Sequence, residues 1–237
     1  LEVNLSYLNE FELAKKTILN AGQLLLDSEI DDSIISAEGH DIKIAADKLV
    51  EEYILDQLTT HSKLPILSEE SGATKNFSES GSYWIVDPID GSMNFKNDLP
   101  LYCVSIALWS EKAPVFGFIY DPCRKELIYN DLNGKVFLND KEIVLKKILL
   151  KNQAVLATGF PLSFEYGNIE KYKELAKDVQ EYKKIRMLGT AALSLAWTAI
   201  GRVNAYKESN IKLWDIAAGL AIVNVPVSYT HLRAHET

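Results

Sequence analysis

Two cysteines and four histidines in 237 residues leave little material for soft-metal or disulfide chemistry. Cys103 and Cys123 are too few for a disulfide framework and lack metal-ligand spacing, which points to a reducing compartment, the cytoplasm by default. Two of the four histidines, His231 and His235, fall in the last seven residues, away from any periodic segment. No apolar run approaches the roughly 20 residues that cross a bilayer, and the N-terminus has no basic stretch followed by an apolar one. A basic excess is also missing. The formal net charge is −8, so no cationic face is available to release counterions from a nucleic-acid polymer or an anionic membrane. Internal repeats and low-complexity linkers are absent as well. With 47% hydrophobic residues, the chain can bury a substantial core as one large domain or two tightly packed smaller ones. The first residue is not methionine, which suggests a trimmed or fragmentary start.

What the chain does have is carboxylates at punctuated positions. Asp87-Pro88-Ile89-Asp90-Gly91-Ser92 comes after a short apolar run, and Trp214-Asp215-Ile216-Ala217-Ala218-Gly219 lies far downstream. Glu69, Asp87, Asp90 and Asp215 each sit where a turn or a helix start would expose them. If they converge, each raises the cost of ionising the others, and a hard divalent cation relieves that cost. Pro88 biases Asp87 toward extended backbone, Gly91 permits close approach of a ligand, and Ser92 can cap the next turn or helix. The same design recurs where Gly189-Thr190 opens a helix and where Asp215 opens another. Three helix starts aimed at one point would form an anion pocket. Each piece has an ordinary alternative. Asp-Pro is a common turn opener, Glu69-Glu70 reads as a solvated loop, and Asp215 or Asp47 at a helix start serves a cap or the helix dipole.

Periodicity predicts helices from Asn9 to Asp27 and from Ala45 to Leu58, the first with a stripe of Ala14, Ile18, Ala21 and Leu25, the second with Leu49, Val50, Tyr53, Ile54 and Leu58. Strands are predicted at Tyr83–Val86, Tyr102–Leu108, Val115–Tyr120, Glu126–Tyr129 and Val136–Leu138. Asp121-Pro122 and Asn133-Gly134 are turn signals that make this an antiparallel meander. Beyond it come a strand at Ala154–Ala157, a helix from Asn168, a helix at Ala191–Ile200, a strand at Val203–Lys207 and a helix at Asp215–Val223. The division this suggests is 1–146, helices plus a mainly antiparallel sheet carrying the acidic motifs, and 147–225, an α/β half. The last stretch, 226–237, has neither periodicity and resembles a translated adapter tail, so it is set apart from the fold.

In order along the chain, Ala46-Asp47, Ser68-Glu69-Glu70-Ser71-Gly72, Trp84-Ile85-Val86-Asp87-Pro88-Ile89-Asp90-Gly91-Ser92-Met93-Asn94-Phe95, Val104-Ser105-Ile106-Ala107, Ala157-Thr158-Gly159-Phe160-Pro161, Gly189-Thr190-Ala191-Ala192 and the Trp214–Gly219 run resemble the inositol monophosphatase family of metal-dependent, lithium-sensitive-type phosphatases. The resemblance covers roughly Leu13 to Val223. It implies an α/β (α+β) fold, a layered α-β-α-β-α sandwich. It also implies Mg²⁺, two or three ions, held by Glu69, Asp87, Asp90, Asp215 and the Ile89 carbonyl. Asp47, Glu69 and Ser92 would be catalytic. Ser92 stands where the family usually has threonine and would orient the attacking water with Asp47. Gly91 and Ser92 would hold phosphate, and Gly189, Thr190, Ala191 and Glu208 would contact the alcohol part of a small phosphorylated polyol or sugar. A homodimer is allowed but not required, and no membrane or nucleic-acid polymer is implied as a partner. Three departures stand out: Ser36 replaces a lysine frequent in the family, Ile44 replaces a frequent threonine, and the family continues after the Trp-Asp helix with a further strand and a closing helix, so the C-terminus reads as truncated. A 3′(2′),5′-bisphosphate nucleotidase of the same superfamily is the nearest alternative, although that branch typically has Lys-Glu-Phe where Met93-Asn94-Phe95 stands. A non-catalytic member is the third.

Overall fold

The structure is a computed structural model and describes residues 5–27, 30–38, 41–144, 150–159 and 169–223. In chain order the elements are α1 (Leu8–Leu24), β1 (Ile34–Glu38), β2 (Asp41–Ile44), α2 (Ala45–His61), β3 (Ile66–Ser68), β4 (Gly72–Ala73), β5 (Ser82–Asp90), α3 (Ser92–Lys96), β6 (Cys103–Ser110), β7 (Ala113–Asp121), β8 (Glu126–Asn130), β9 (Val136–Leu138) and β10 (Lys141–Ile143). They continue as β11 (Val155–Thr158), α4 (Ile169–Glu181), β12 (Lys184–Arg186), α5 (Ala191–Ala199), β13 (Ala205–Lys207) and α6 (Leu213–Val223). The expected tail from Pro226, with His231 and His235, lies outside the described residues.

An eight-stranded sheet has the order β10-β9-β8-β7-β6-β5-β3-β4, antiparallel throughout except where β3 runs parallel to β5. The meander from β5 to β9 obeys the turn signals, as predicted, and β10 extends it by a strand that the sequence reading did not include. Its central strands are buried on both faces, and their side chains separate by period two. Trp84, Val86, Val104, Ile106, Leu108, Phe116 and Phe118 join a core with α1 and α2. Tyr83, Ile85, Cys103, Ala107 and Ile119 face the other way, onto Ala192, Ala196, Ala217, Ala218 and Ile222 of α5 and α6. Aromatic rings of the sheet concentrate under the first helix pair, whereas α5 and α6 bring mainly alanine to the second face, where helix and sheet come close. Full burial of each large apolar group contributes about 1.5–3 kcal/mol. Phe11 anchors α1, meeting Phe116 edge-on at 5.3 Å between ring centroids.

On the far side of α5 a three-stranded parallel sheet, β12-β11-β13, packs Ala157 and Tyr206 against Ala191 and Leu195, and α4 lies against β12. The layers thus run α, β, α, β, α. Among the described residues no helix is long and apolar enough to cross a membrane.

Two expectations need correction, and one element is additional to them. Leu49 is 49% exposed rather than part of the buried stripe of α2, whose inner face is instead Ala46, Asp47, Val50, Glu51, Ile54 and Leu58. Two acidic residues occupy the face that an apolar pattern would assign to Leu49, because that end of the helix lines a polar site. Asp87 is not exposed at a strand end: β5 continues to Asp90 and Asp87 is 1% exposed. The hairpin β1–β2 was not predicted, since its segment Ile34–Ile44 has no clean alternation and forms a separate two-stranded sheet.

Candidate active site

The end of β5 creates the site through its register. Asp87 pairs with Ser105 and Asp90 with Cys103, three residues on β5 against two on β6. This one-residue bulge cancels the alternation that would send Asp87 and Asp90 to opposite faces. Both therefore point to the side of α5 and α6, while Ile89 enters the opposite core. Pro88, which has no N–H to give to a ladder, suits the interruption.

Glu69 arrives from the neighbouring strand. Ser68 of β3 is in register with Val86, and the Glu69 amide donates to the Val86 carbonyl at 3.2 Å, so Glu69 comes next, beside Asp87. Asp215 arrives from the first turn of α6, where its Oδ2 accepts from the Lys212 amide at 3.1 Å. Carboxylate oxygens of Glu69, Asp87 and Asp215 lie within 4.8 Å of one another. Burial raises the pKa of each, Glu69 to about 8, Asp215 to about 7 and Asp87 well above the ordinary range; after burial, the charge of Asp215 adds to the rise at Glu69, that of Asp90 to the rise at Asp215, and that of Glu69 to the rise at Asp87. Neither oxygen of the buried Asp87 carboxylate meets a hydrogen-bond donor among the described residues. Such a group needs a cation or a shared proton.

Asp90 stands beside this trio rather than in it. Its Oδ2 accepts from Thr190 Oγ1 at 2.5 Å and from the Ala192 amide at 2.6 Å, so it occupies the N-terminus of α5. Burial raises Asp90 to about 6 against these donors. The expected anion pocket at α5 thus holds one of the protein's own carboxylates. Thr190 also caps α5 by accepting from the Leu193 amide at 3.2 Å.

A further carboxylate, Asp47, adjoins the bulge and is joined to Ser92. Asp47, 2% exposed, takes the Ile44 amide on Oδ2 at 2.9 Å and the Ser92 hydroxyl on Oδ1 at 2.8 Å. Ser92 Oγ is also 2.9 Å from the Ile89 carbonyl. Ser92 is therefore not the cap of α3; Gly91 occupies that position with φ of 98°. A Cβ on Gly91 would stand 2.9 Å from the Leu101 carbonyl and 3.4 Å from that of Gly189, so glycine is required there twice over. Burial, more than the opposing hydrogen bonds, raises Asp47 to about 6.

Glu208 closes the side formed by the small sheet. Tyr206 Oη donates to its Oε2 at 2.9 Å, and its carboxylate fills the space a side chain on Gly159 would need. Burial raises its pKa above the usual carboxylate range, with the Asp90 charge adding to the effect and the Tyr206 hydrogen bond opposing it.

Several contributors were not singled out from the sequence. Asn94 Nδ2 donates to the Leu101 and Leu188 carbonyls at 2.6 and 2.7 Å, tying α3 to the approach of α5. Lys43 lies directly across the β1–β2 hairpin from Ser36 and pairs with Glu70 Oε2 at 2.8 Å, so a cation reaches this acidic region from the facing strand. Glu51 binds the segment around Glu69. Its spacing of four from Asp47 was the available signal.

With this geometry in place, a family model described as the inositol monophosphatase family matches residues 8–224. The chain belongs to the inositol monophosphatase family. An inositol-1-monophosphatase of Mesorhizobium japonicum is 35% identical over 199 residues, 82% of this chain and 74% of that protein. Among solved structures, the extragenic suppressor protein suhB from Bartonella henselae superposes with a TM-score of 0.82 at 31% identity, covering 91% of this chain and 84% of that one. The inositol monophosphatase from Anabaena (Nostoc) sp. PCC 7120 gives 0.78 at 30% identity, covering 94% and 82%. The family is one of metal-dependent phosphatases, and the chain is accordingly a phosphoric monoester hydrolase.

Proposed function

We propose that this member of the inositol monophosphatase family hydrolyses inositol monophosphate or a similar small polyol or sugar phosphate with Mg²⁺. The observation that carries the reading is the meeting of Glu69, Asp87 and Asp215 with both Asp87 oxygens unpartnered. An all-oxygen donor set with no histidine suits a hard cation. Asp90 and the Ile89 carbonyl would complete the holding residues, for two or three ions. Once bound, the cation supplies an attacking water of lowered pKa and neutralises charge on the leaving oxygen. The chain's own groups do the rest. Ser92 donates its hydroxyl hydrogen bond to Asp47 Oδ1, which leaves its oxygen lone pairs to accept a hydrogen bond from the attacking water and so aim it. The Gly91 and Ser92 amides hold phosphate oxygens at the start of α3. Gly189, Thr190 and Ala191 line the alcohol side, where Glu208 Oε1 accepts from a hydroxyl. The Asp47–Ser92 contact favours a working enzyme over a non-catalytic member, since a purely structural site has no use for a water-aiming pair.

Phosphate release from inositol monophosphate, sugar phosphates and adenosine 3′,5′-bisphosphate, each in Mg²⁺ and in chelator, tests this. The expected result is release from the polyol and sugar esters that requires Mg²⁺ and falls at least about 100-fold in Asp87→Asn, the cost of losing one ligand of a catalytic site. Full activity in chelator or in Asp87→Asn would overturn the metal reading. Preference for the bisphosphate would move the assignment to the nucleotidase branch.

A further inference from the structure

Glu51 lies one helical turn beyond Asp47 on α2, so both carboxylates occupy one face of one helix. It is 2% exposed and has no part in the hydrolytic chemistry described above. All its partners come from one short segment. Oε1 accepts from Ser68 Oγ and from the Glu70 and Ser71 amides, both at 3.1 Å, while Oε2 accepts from Ser71 Oγ. These four donors bracket Glu69 on both sides. The Glu70 and Ser71 amides lie between β3 and β4, where no strand partner reaches them, and a carboxylate has enough lone pairs to take all four donors at once.

We propose that Glu51 is a positioning residue for the cation site: it fastens the turn carrying Glu69 to the helix carrying Asp47, and so sets where the Glu69 carboxylate meets Asp87 and Asp215. The inference rests on the reading of Glu69 as a cation ligand. Three like-charged groups drawn to one point repel, and Glu69 sits on a turn rather than within a strand. Without an anchor the turn relaxes outward, and the cation must then regather its ligands at a cost in affinity. Glu51 holds the Ser68 hydroxyl before Glu69 and the two backbone amides after it, which narrows the positions open to the Glu69 carboxylate. A purely structural Glu51 would affect melting alone. A positioning Glu51 also affects the affinity for cation in protein that remains folded.

Calorimetric titration of Mg²⁺ into the cation-free protein separates the two, with melting temperature measured on the same samples. Glu51→Ala should weaken cation binding about tenfold or more, the usual loss when a group that orients a metal ligand is removed. Glu51→Gln keeps a carbonyl acceptor for the Oε1 donors and can donate to Ser71 Oγ, so it should restore affinity to within about twofold. The double variant Ser68→Ala/Ser71→Ala removes both hydroxyl donors and leaves the amides bonded, so it should fall between, about threefold weaker. Wild-type affinity in folded Glu51→Ala would overturn the proposal. Should that variant not fold, wild-type affinity in Ser68→Ala/Ser71→Ala would do the same. Failure of the wild-type protein to bind any divalent cation would instead remove the cation reading, and this proposal with it.

Discussion

At the scale of single residues, the site gathers groups that water would keep apart. Asp87 has no donor at either oxygen among the described residues, Asp90 is held by the start of α5, and Asp47 is shared between an amide and a hydroxyl. Glu208 differs from all of these because, among the described residues, its hydrogen-bond partner Tyr206 engages one oxygen and it takes no part in the converging trio. Its role can therefore be tested without disturbing the cation. In Glu208→Ala, kcat/KM on inositol monophosphate should fall by about 1.5–3 kcal/mol, the loss of a charge-assisted hydrogen bond, while an aryl phosphate with no hydroxyl at that position should change little. Steady-state kinetics on both esters decide it. Equal losses would place Glu208 in folding or cation binding, and no loss on either would remove it from the substrate side.

At the scale of elements, each carboxylate is delivered by a different segment, so packing between segments controls their distance. Helix α6 carries Asp215 and crosses β7 where Gly117 has no side chain; a Cβ there would press into the Ala218 backbone. Backbone cannot move aside as a side-chain tip can. Gly117→Ala should therefore cost about 1–3 kcal/mol of stability, as overpacking in a dense core does. It should also weaken cation binding by lifting α6 away from β5. Thermal melting and calorimetry on the same variant measure both effects. An unchanged melting temperature would show that α6 can shift freely against the sheet, contrary to the tight small-residue seam of Cys103, Ala107, Ala217 and Ala218.

At the scale of the whole molecule, the acidic cluster links stability to pH and to cation. Glu69 at about 8, Asp215 at about 7, and Asp90 and Asp47 at about 6 all bind protons more tightly in the folded protein than in the unfolded chain. Their stabilising contribution is complete below the unfolded carboxylate range of about 4 and is lost as pH rises through about 6 to 8. In chelator the melting temperature should fall across that window. On the proposed reading Mg²⁺ would bind the ionised cluster in the folded state, so its stabilising shift should grow over the same range. Differential scanning fluorimetry at a series of pH values, with Mg²⁺ and with chelator, measures this. A chelated melting temperature that stays flat from about pH 5.5 to 8.5 would contradict it.

The sequence by itself determined the antiparallel meander, the helices α1, α2, α5 and α6 to within a few residues, and the identity of the acidic residues, because these depend on local properties: period, turn residues and short motifs. It also marked Gly91, whose left-handed backbone only a glycine adopts easily. Only the tertiary structure decided that Asp87 and Asp90 share a face, since that depends on a bulge in the pairing of β5 with β6 and not on either strand alone. Tertiary structure likewise determined that Leu49 is exposed while Asp47 and Glu51 are buried, and that Lys43 stands across from Ser36. Hydrophobic pattern records the average burial of a helix face, but a polar site cut into that face reverses the rule for the residues that line it. Which carboxylates meet, and which is held aside by the start of α5, is set by contacts between residues about 20 to 150 positions apart in the chain, a separation that no local pattern encodes.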